Sequence, residues 1–305
     1  MNCLNGERFL KEAIDSVYAQ SFTDWEIIFC DSGSTDLSVD IALSYGPKIK
    51  VFKIDKPVPL GQARQEAVDK ACGQFLAFLD VDDCWLPFKL QVQYDLMKTG
   101  DYDICYGGVQ CIDEDGKSLY KIIPVHLSGP MFEKQLRHVE GSWCTYVVDR
   151  HKLLQKGTKF TPTMRSSCEE DMILSFLALN GTGVVAPKIL SKYRIVSGSV
   201  TSFYSERLAS ERFSTLHRLI SEWPNVRDLY PDAFRAAEAR GYYYEARYLM
   251  DHGKYREAKE AISKASELNN HFVYLKMLLQ WPWLWKFAHR IKGHLAPFWL
   301  SLSAN

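Results

Sequence analysis

The densest chemistry in this chain lies in Asp80-Val81-Asp82-Asp83, three carboxylates within four positions, directly after the apolar residues 75–79. Carboxylates at the end of a strand suit two tasks. They hold a hard divalent cation, Mg²⁺ or Mn²⁺, which takes carboxylate oxygens, keeps several waters and shares phosphate oxygens with the protein. Equally, they cap the helix that Pro87 opens, because an aspartate ahead of a helix satisfies its orphan amides. A cation would also let the cluster face a diphosphate, which bare carboxylates repel.

Two further acidic groups stand out. Asp31-Ser32-Gly33-Ser34-Thr35-Asp36 is a turn-forming polar run that can cap the following helix, and it follows the β-prone residues 25–30. Glu169-Glu170-Asp171 begins a helical pattern over residues 170–180. Acidic residues are favoured in any first helical turn, so by itself this triplet reads as well as dipole compensation as it does as a catalytic base.

The elements that must position these groups alternate. Phe9, Leu10, Ala13, Ile14, Val17 and Tyr18 fall at helical spacing within residues 5–20. Residues 25–30, 49–54 and 75–79 read as strands, and residues 61–72 as a helix between the last two. Strands at 103–107, 143–148 and 188–194, with a hairpin turn at 113–116, make the sheet mixed. The fold class is therefore α/β with a mixed, mostly parallel sheet, and in such sheets ligands bind beyond the carboxyl ends of the strands. Both polar clusters, Asp31 to Asp36 and Asp80 to Asp83, occupy that edge.

The whole chain excludes little else. It has 305 residues, 47% of them hydrophobic, with 37 basic and 37 acidic side chains, so a large core is available and no charge bias points to nucleic acid. Eight scattered cysteines without metal-ligand spacing read as reduced, small hydrophobes. Neither a secretory leader nor an apolar run of membrane-spanning length is present, which predicts a protein that is soluble or held at a membrane surface.

Residues 75–85 together resemble the Asp-x-Asp segment of the family 2 inverting glycosyltransferases. The resemblance continues in order through Asn5-Gly6-Glu7, Ala19-Gln20-Ser21-Phe22 and the run from Asp31 to Asp36. It covers residues 1–203 and implies a GT-A nucleotide-sugar-binding fold, followed by a helical extension over 204–305. Asp31 then contacts the donor's base, and Ser32 stands where the family's loop has a second acidic residue. Gly61-Gln62-Ala63-Arg64 resembles the segment near the nucleotide, with Arg64 available to base or phosphate. The same resemblance puts Asp80 on the ribose side, Val81 in the donor-binding set, Asp82 on the metal and Asp83 as its second partner. Glu170 and Asp171 match the pair carrying the general base, with Asp171 as the base itself. Tyr193-Arg194 and Ser199 resemble an element that meets phosphate or acceptor. Trp143 is either an acceptor wall or a core residue.

The implied donor is a nucleotide-diphosphate sugar, a UDP-sugar by preference, and the acceptor is a hydroxyl of a glycan or lipid-linked precursor in surface polysaccharide synthesis. The implied location is cytoplasmic, at the inner face of the membrane. A departure lies at Met1-Asn2-Cys3-Leu4, where the family opens with an apolar strand that is here missing or nearly so. A degenerate, non-catalytic transferase is one alternative. A haloacid-dehalogenase-like phosphatase is another, although it needs threonine or valine where Cys84 stands. In the extension, residues 241–269 resemble one tetratricopeptide helix pair. Residues 281–302 are basic and rich in tryptophan, which suits either an anionic membrane surface or a helix docked by its rings.

Overall fold

A computed structural model of the chain describes residues 1–196, 205–279 and 285. Two compact units form. The first gathers residues 1–131, 140–164 and 180–196; the second gathers 132–139, 165–179 and the described residues from 205 onward. The division is thus not a single cut near residue 203, because two short internal segments join the C-terminal helices.

In the first unit, α1 (Glu7–Tyr18) buries Leu10, Ala13, Ile14 and Val17, one face of a 3.6-residue period. It starts two residues later than the apolar pattern suggests, because Asn5 adopts φ +54° and turns the chain before the helix. The parallel sheet β1–β2–β3 comprises β1 (Asn2–Cys3), β2 (Ile27–Asp31) and β3 (Ile49–Lys53), with β2 in the middle. All five residues of β2 are buried, as its unbroken apolar run requires. Between β2 and β3 runs α2 (Ser38–Leu43), and α3 (Leu60–Lys70) follows.

A second sheet runs in the order β4–β9–β6–β10–β5, with β7 added to β6 and β8 to β10. Its strands are β4 (Phe75–Ala77), β5 (Cys84–Trp85), β6 (Ile104–Ile112), β7 (Ser118–Ile122), β8 (Gly129–Pro130), β9 (Val147–Asp149) and β10 (Thr182–Arg194). Here β10 pairs with β6 in parallel, while the other pairings are antiparallel. The sheet system is mixed, with its parallel strands concentrated in the N-terminal part. The strand expected over 143–148 begins later, since Trp143–Thr145 form a 3₁₀ turn, and β10 begins six residues before the expected start. Between the strands lie α4 (Lys89–Met97) and α6 (Arg150–Gln155); α5 (Phe132–Arg137) falls in the second unit.

The second unit contains α7 (Cys168–Leu177), α8 (Leu208–Glu222), α9 (Val226–Leu229), α10 (Pro231–Asp251), α11 (Tyr255–Leu268) and α12 (Val273–Leu278). Ala246 and Met250 of α10 pack on Ala258, Ala261, Ile262 and Ala265 of α11, where small side chains allow close approach. Trp285 is buried in this same cluster, so at that position the tail docks on protein by its ring. The remainder of residues 281–302, and Ser199, lie outside the described residues. All eight cysteines are free, and all but Cys72 are buried. Among the described residues, no helix is long and apolar enough to cross a membrane.

Candidate functional site

Residues 3–6 join the two polar clusters of the first unit. The Ser32 amide donates to the Cys3 carbonyl at 2.8 Å, the Asn5 amide to Ser34 Oγ at 2.8 Å and the Gly6 amide to Ser38 Oγ at 2.9 Å. Asn5 Oδ1 in return accepts from the Thr35 amide at 2.8 Å. On its other side Gly6 packs against Val81 so closely that a Cβ would lie 2.7 Å from Val81 Cγ2. The loop after β2 and the loop after β4 are therefore tied through one short turn, which only glycine fits at position 6.

Asp31 ends β2 and is buried, 2% exposed. Its Oδ2 accepts from the amides of Gly33 and Ser34, closing a local turn, while the buried Oδ1 has no hydrogen-bond partner. A buried acceptor left open costs about 1–3 kcal/mol, so the site is primed for an incoming N–H or O–H donor. Ser32 is buried beside it.

At the end of β4 the three carboxylates diverge. Asp80 is 35% exposed and accepts from Arg64 Nη2 at 3.1 Å. Asp82 is pushed up to about 6, first by burial and then by the neighbouring Asp80 charge. Asp83 is raised well above the carboxylate range by burial and by both neighbours, and it turns inward, where its Oδ1 accepts from the Arg194 amide at 2.8 Å. Asp80 and Asp82 thus fit a hard cation that would relieve their repulsion, while Asp83 faces the sheet. Two carboxylates plus substrate phosphate oxygens are a usual Mg²⁺ set. No group of three or more His, Cys, Asp or Glu side chains arranged to hold a metal occurs among the described residues.

Arg64 sits one turn into α3, is 3% exposed and lies 5.3 Å from the Trp143 ring. Its placement depends on Gly61, whose amide donates to the Met164 carbonyl at 3.0 Å. A Cβ at Gly61 would stand 2.1 Å from the Thr161 carbonyl oxygen. Trp143 stacks on Phe78 at 4.0 Å, so part of its ring is committed to the protein. Arg194, expected at phosphate, is engaged by protein groups instead. Its Nε donates to the Asp82 carbonyl at 2.9 Å, its Nη1 to the Glu114 carbonyl at 3.2 Å, and its Nη2 pairs with Glu12. It braces the Asp82–Asp83 loop from behind.

The acidic triplet belongs to the second unit, at the N-terminus of α7. Asp171 is fully buried; it accepts from Thr215 Oγ1 at 2.8 Å and pairs with Arg218. Glu170 pairs with the buried Arg212, which also donates to the Ala237 carbonyl at 2.8 Å. Glu211 accepts from the amides of Arg165, Ser166 and Ser167 ahead of α7. Burial pushes the Glu211 carboxyl up, but these amides outweigh it and hold the group below its ordinary range. Glu211, Arg212, Thr215 and Arg218 share one face of α8. Here the structure differs from the role expected of Asp171 and Glu170, since both carboxylates act as ties to α8 and Asp171 is sealed from solvent. Glu169 and Glu170 are both half-buried, and Glu170 is the one committed to Arg212.

Sequence reasoning missed the turn at residues 3–6, Glu12 and the α8 clamp. The spacing of the clamp on α8 was visible, but its partners are about 40 positions away and no local pattern names them.

The sequence profile of glycosyl transferase family 2 matches residues 1–157. The Bacillus subtilis protein TuaG, whose name assigns it to teichuronic acid biosynthesis as a glycosyltransferase, is 29% identical over 203 residues, 65% of this chain and 78% of that protein. Escherichia coli WfgD, named a UDP-Glc:alpha-D-GlcNAc-diphosphoundecaprenol beta-1,3-glucosyltransferase, is 28% identical over 206 residues, 66% of this chain and 78% of its own. Among solved structures, residues 1–349 of S. aureus TarS superpose with TM-score 0.65 at 14% identity, covering 97% of this chain and 89% of that one. The same protein in complex with UDP-GlcNAc gives TM-score 0.59 over 89% and 88% of the two chains.

Proposed function

The chain belongs to glycosyl transferase family 2, and we propose that it transfers a sugar, with inversion, from a nucleotide-diphosphate donor to a hydroxyl of a glycan or lipid-linked acceptor. The setting is the assembly of cell-surface polysaccharide, as the names of TuaG and WfgD support. UDP-sugars are the favoured donors, in keeping with the donor in the name of WfgD and the ligand in the TarS complex. The carrying observation is the open, buried Oδ1 of Asp31, an acceptor that matches the ring N–H of uracil.

Asp80 and Asp82 would hold Mg²⁺ or Mn²⁺, which when bound neutralises the diphosphate leaving group. Arg64 holds Asp80 in place and adds a positive charge on the nucleotide side. An inverting displacement also needs a base for the acceptor's proton. It is drawn from the acidic triplet. Asp171 has the position that the family resemblance assigns, and it acts only where Arg218 releases it; Glu169 has solvent access without that change. The basic, tryptophan-rich end adds contact with an anionic membrane on the cytoplasmic side, where a lipid-linked acceptor is presented.

Calorimetric titration of the purified chain with UDP, GDP and dTDP in Mn²⁺ or Mg²⁺, followed by donor-hydrolysis assays with the matching sugars, tests the reading. Binding of UDP that is lost in Asp31→Asn supports it. Failure to bind or hydrolyse any of the three, with the fold intact, removes it. For the base, Asp171→Asn is expected to abolish transfer while leaving nucleotide binding near wild type, both measured well below the variant's own unfolding temperature. If Glu169→Gln alone has that effect, the base is Glu169.

A further inference from the structure

After β7 the chain continues as a strap over residues 123–128, and a single buried carboxylate pins it. Glu140, 6% exposed, accepts from the Val125 amide at 2.6 Å through Oε1 and from the His126 amide at 3.0 Å through Oε2. The same Oε2 accepts from Tyr106 Oη at 3.0 Å and lies 3.2 Å from His126 Nδ1. At the end of the strap Ser128 Oγ accepts from the Val185 amide at 3.0 Å. These polar groups of the strap are turned to the protein, and its course is fixed.

What the strap turns outward is apolar. Leu119, Lys121, Ile123, Val125 and Leu127 are all exposed, every second residue from β7 into the strap, with Ile123 at 57% and Val125 at 61%. The intervening Tyr120 and Ile122 pack on the core of the first unit, as alternation along a strand requires. Single exposed apolar residues are ordinary, but a consecutive row on a pinned segment is a built surface. Charge is as one-sided as polarity. From Gly116 to Phe132 there is no acidic residue, while Lys117 and Lys121 are exposed along the row. The acidic turn at Asp113, Glu114 and Asp115 precedes β7 and so stands at the end away from the strap.

These features select the partner. A further strand cannot extend along the row by pairing, because the Val125 and His126 amides are engaged by Glu140, Pro124 has no amide, and Lys121 stands on the edge. The fitting partner needs no backbone direction, is apolar inside and is negative at its face. We propose that residues 117–127 form a membrane-contact surface that sets Ile123 and Val125 among the acyl chains of an anionic bilayer, with Lys117 and Lys121 on lipid phosphates. This surface is separate from the tryptophan-rich end, and it stands whatever sugar the chain transfers.

The full chain is tested by flotation with vesicles of phosphatidylcholine, alone or mixed with phosphatidylglycerol. In parallel, a polarity-sensitive dye is attached at Val125→Cys in a Cys72→Ser background, which removes the one exposed cysteine. The dye is expected to shift to the blue with the anionic vesicles and to be quenched there by nitroxide-bearing acyl chains. Ile123→Ser with Val125→Ser should weaken flotation about tenfold or more, and Lys117→Ala with Lys121→Ala about tenfold, at an unchanged unfolding midpoint. Val125→Ser alone repeats the test if the serine pair lowers that midpoint. The proposal is overturned if the chain does not float, if phosphatidylcholine alone serves as well, or if either pair of substitutions leaves flotation unchanged. A dye that stays in water while the chain floats also overturns it, because another surface then carries the contact. So does a blue shift that grows with protein concentration without vesicles, since the row is then an interface with a second copy.

Discussion

The chain uses clustered carboxylates in two places and treats them oppositely. In the first unit Asp80, Asp82 and Asp83 are crowded together, the Asp82 and Asp83 carboxyls are driven upward by burial and mutual repulsion, and Asp31 keeps an open oxygen. In the second unit the charges are met between α7 and α8: Arg218 pairs with Asp171, Arg212 with Glu170, and three amides ahead of α7 donate to Glu211 of α8. Unrelieved charge is a poor structural device and a good binding one, because a ligand supplies the missing compensation. Satisfied charge does the reverse. The comparison teaches that acidity alone does not mark a site; the decisive feature is whether the fold has already neutralised it.

The strongest way to break this contrast is to remove the crowded charges. Asp82→Asn is expected to lower transfer by about 10³-fold or more, while thermal unfolding stays level or rises because its repulsion with Asp80 is relieved. A fall in unfolding temperature would show that the Asp82 carboxylate is structural. In the second unit Asp171→Ala should have the opposite signature, a loss of about 3 kcal/mol on denaturant unfolding, since Thr215 and Arg218 lose the buried carboxylate they share. Stability within about 0.5 kcal/mol of wild type would break the contrast from that side.

Lys89 sharpens the comparison, because it is an uncompensated charge with no access to ligand. It is fully buried at the start of α4, its Nζ has no hydrogen-bond partner, and it lies 4.2 Å from the Trp85 ring. Burial pulls its amine down to about 7, against the opposing influence of Cys144 and Cys105. The unfolded chain keeps this proton up to an ordinary lysine value near 10.4. Between those limits the unfolded state binds more protons, so stability rises with pH; below about 7 both states are charged and the penalty is fully felt. Lys89→Met is expected to stabilise the chain on the order of 3 kcal/mol at neutral pH, with a gain that shrinks toward pH 10. A gain that does not vary with pH would show that Lys89 is not the titrating group.

The smallest effect is expected on the surface. Arg8 pairs with Glu114 but is 60% exposed, so Arg8→Ala should change stability by no more than about 0.5 kcal/mol. A larger loss would mean that exposed pairs matter here as much as buried ones.

The sequence by itself determined the local elements and the polar residues that end them. The 3.6-residue period of α1, the apolar runs of β2 and β4, and the acidic turns after them are short-range patterns, and chain geometry fixes them within a few positions. The tertiary structure alone decided which charges are used up. Asp82 and Asp83 are adjacent, yet Arg194, more than 100 positions away, captures the Asp83 carboxylate with its amide and only the backbone of Asp82. Likewise α7 carries the acidic start its sequence announces, but its residues belong to the second unit and are tied by α8. Periodicity records what a residue does for its own element. Neutralisation depends on partners that the chain brings together only on folding.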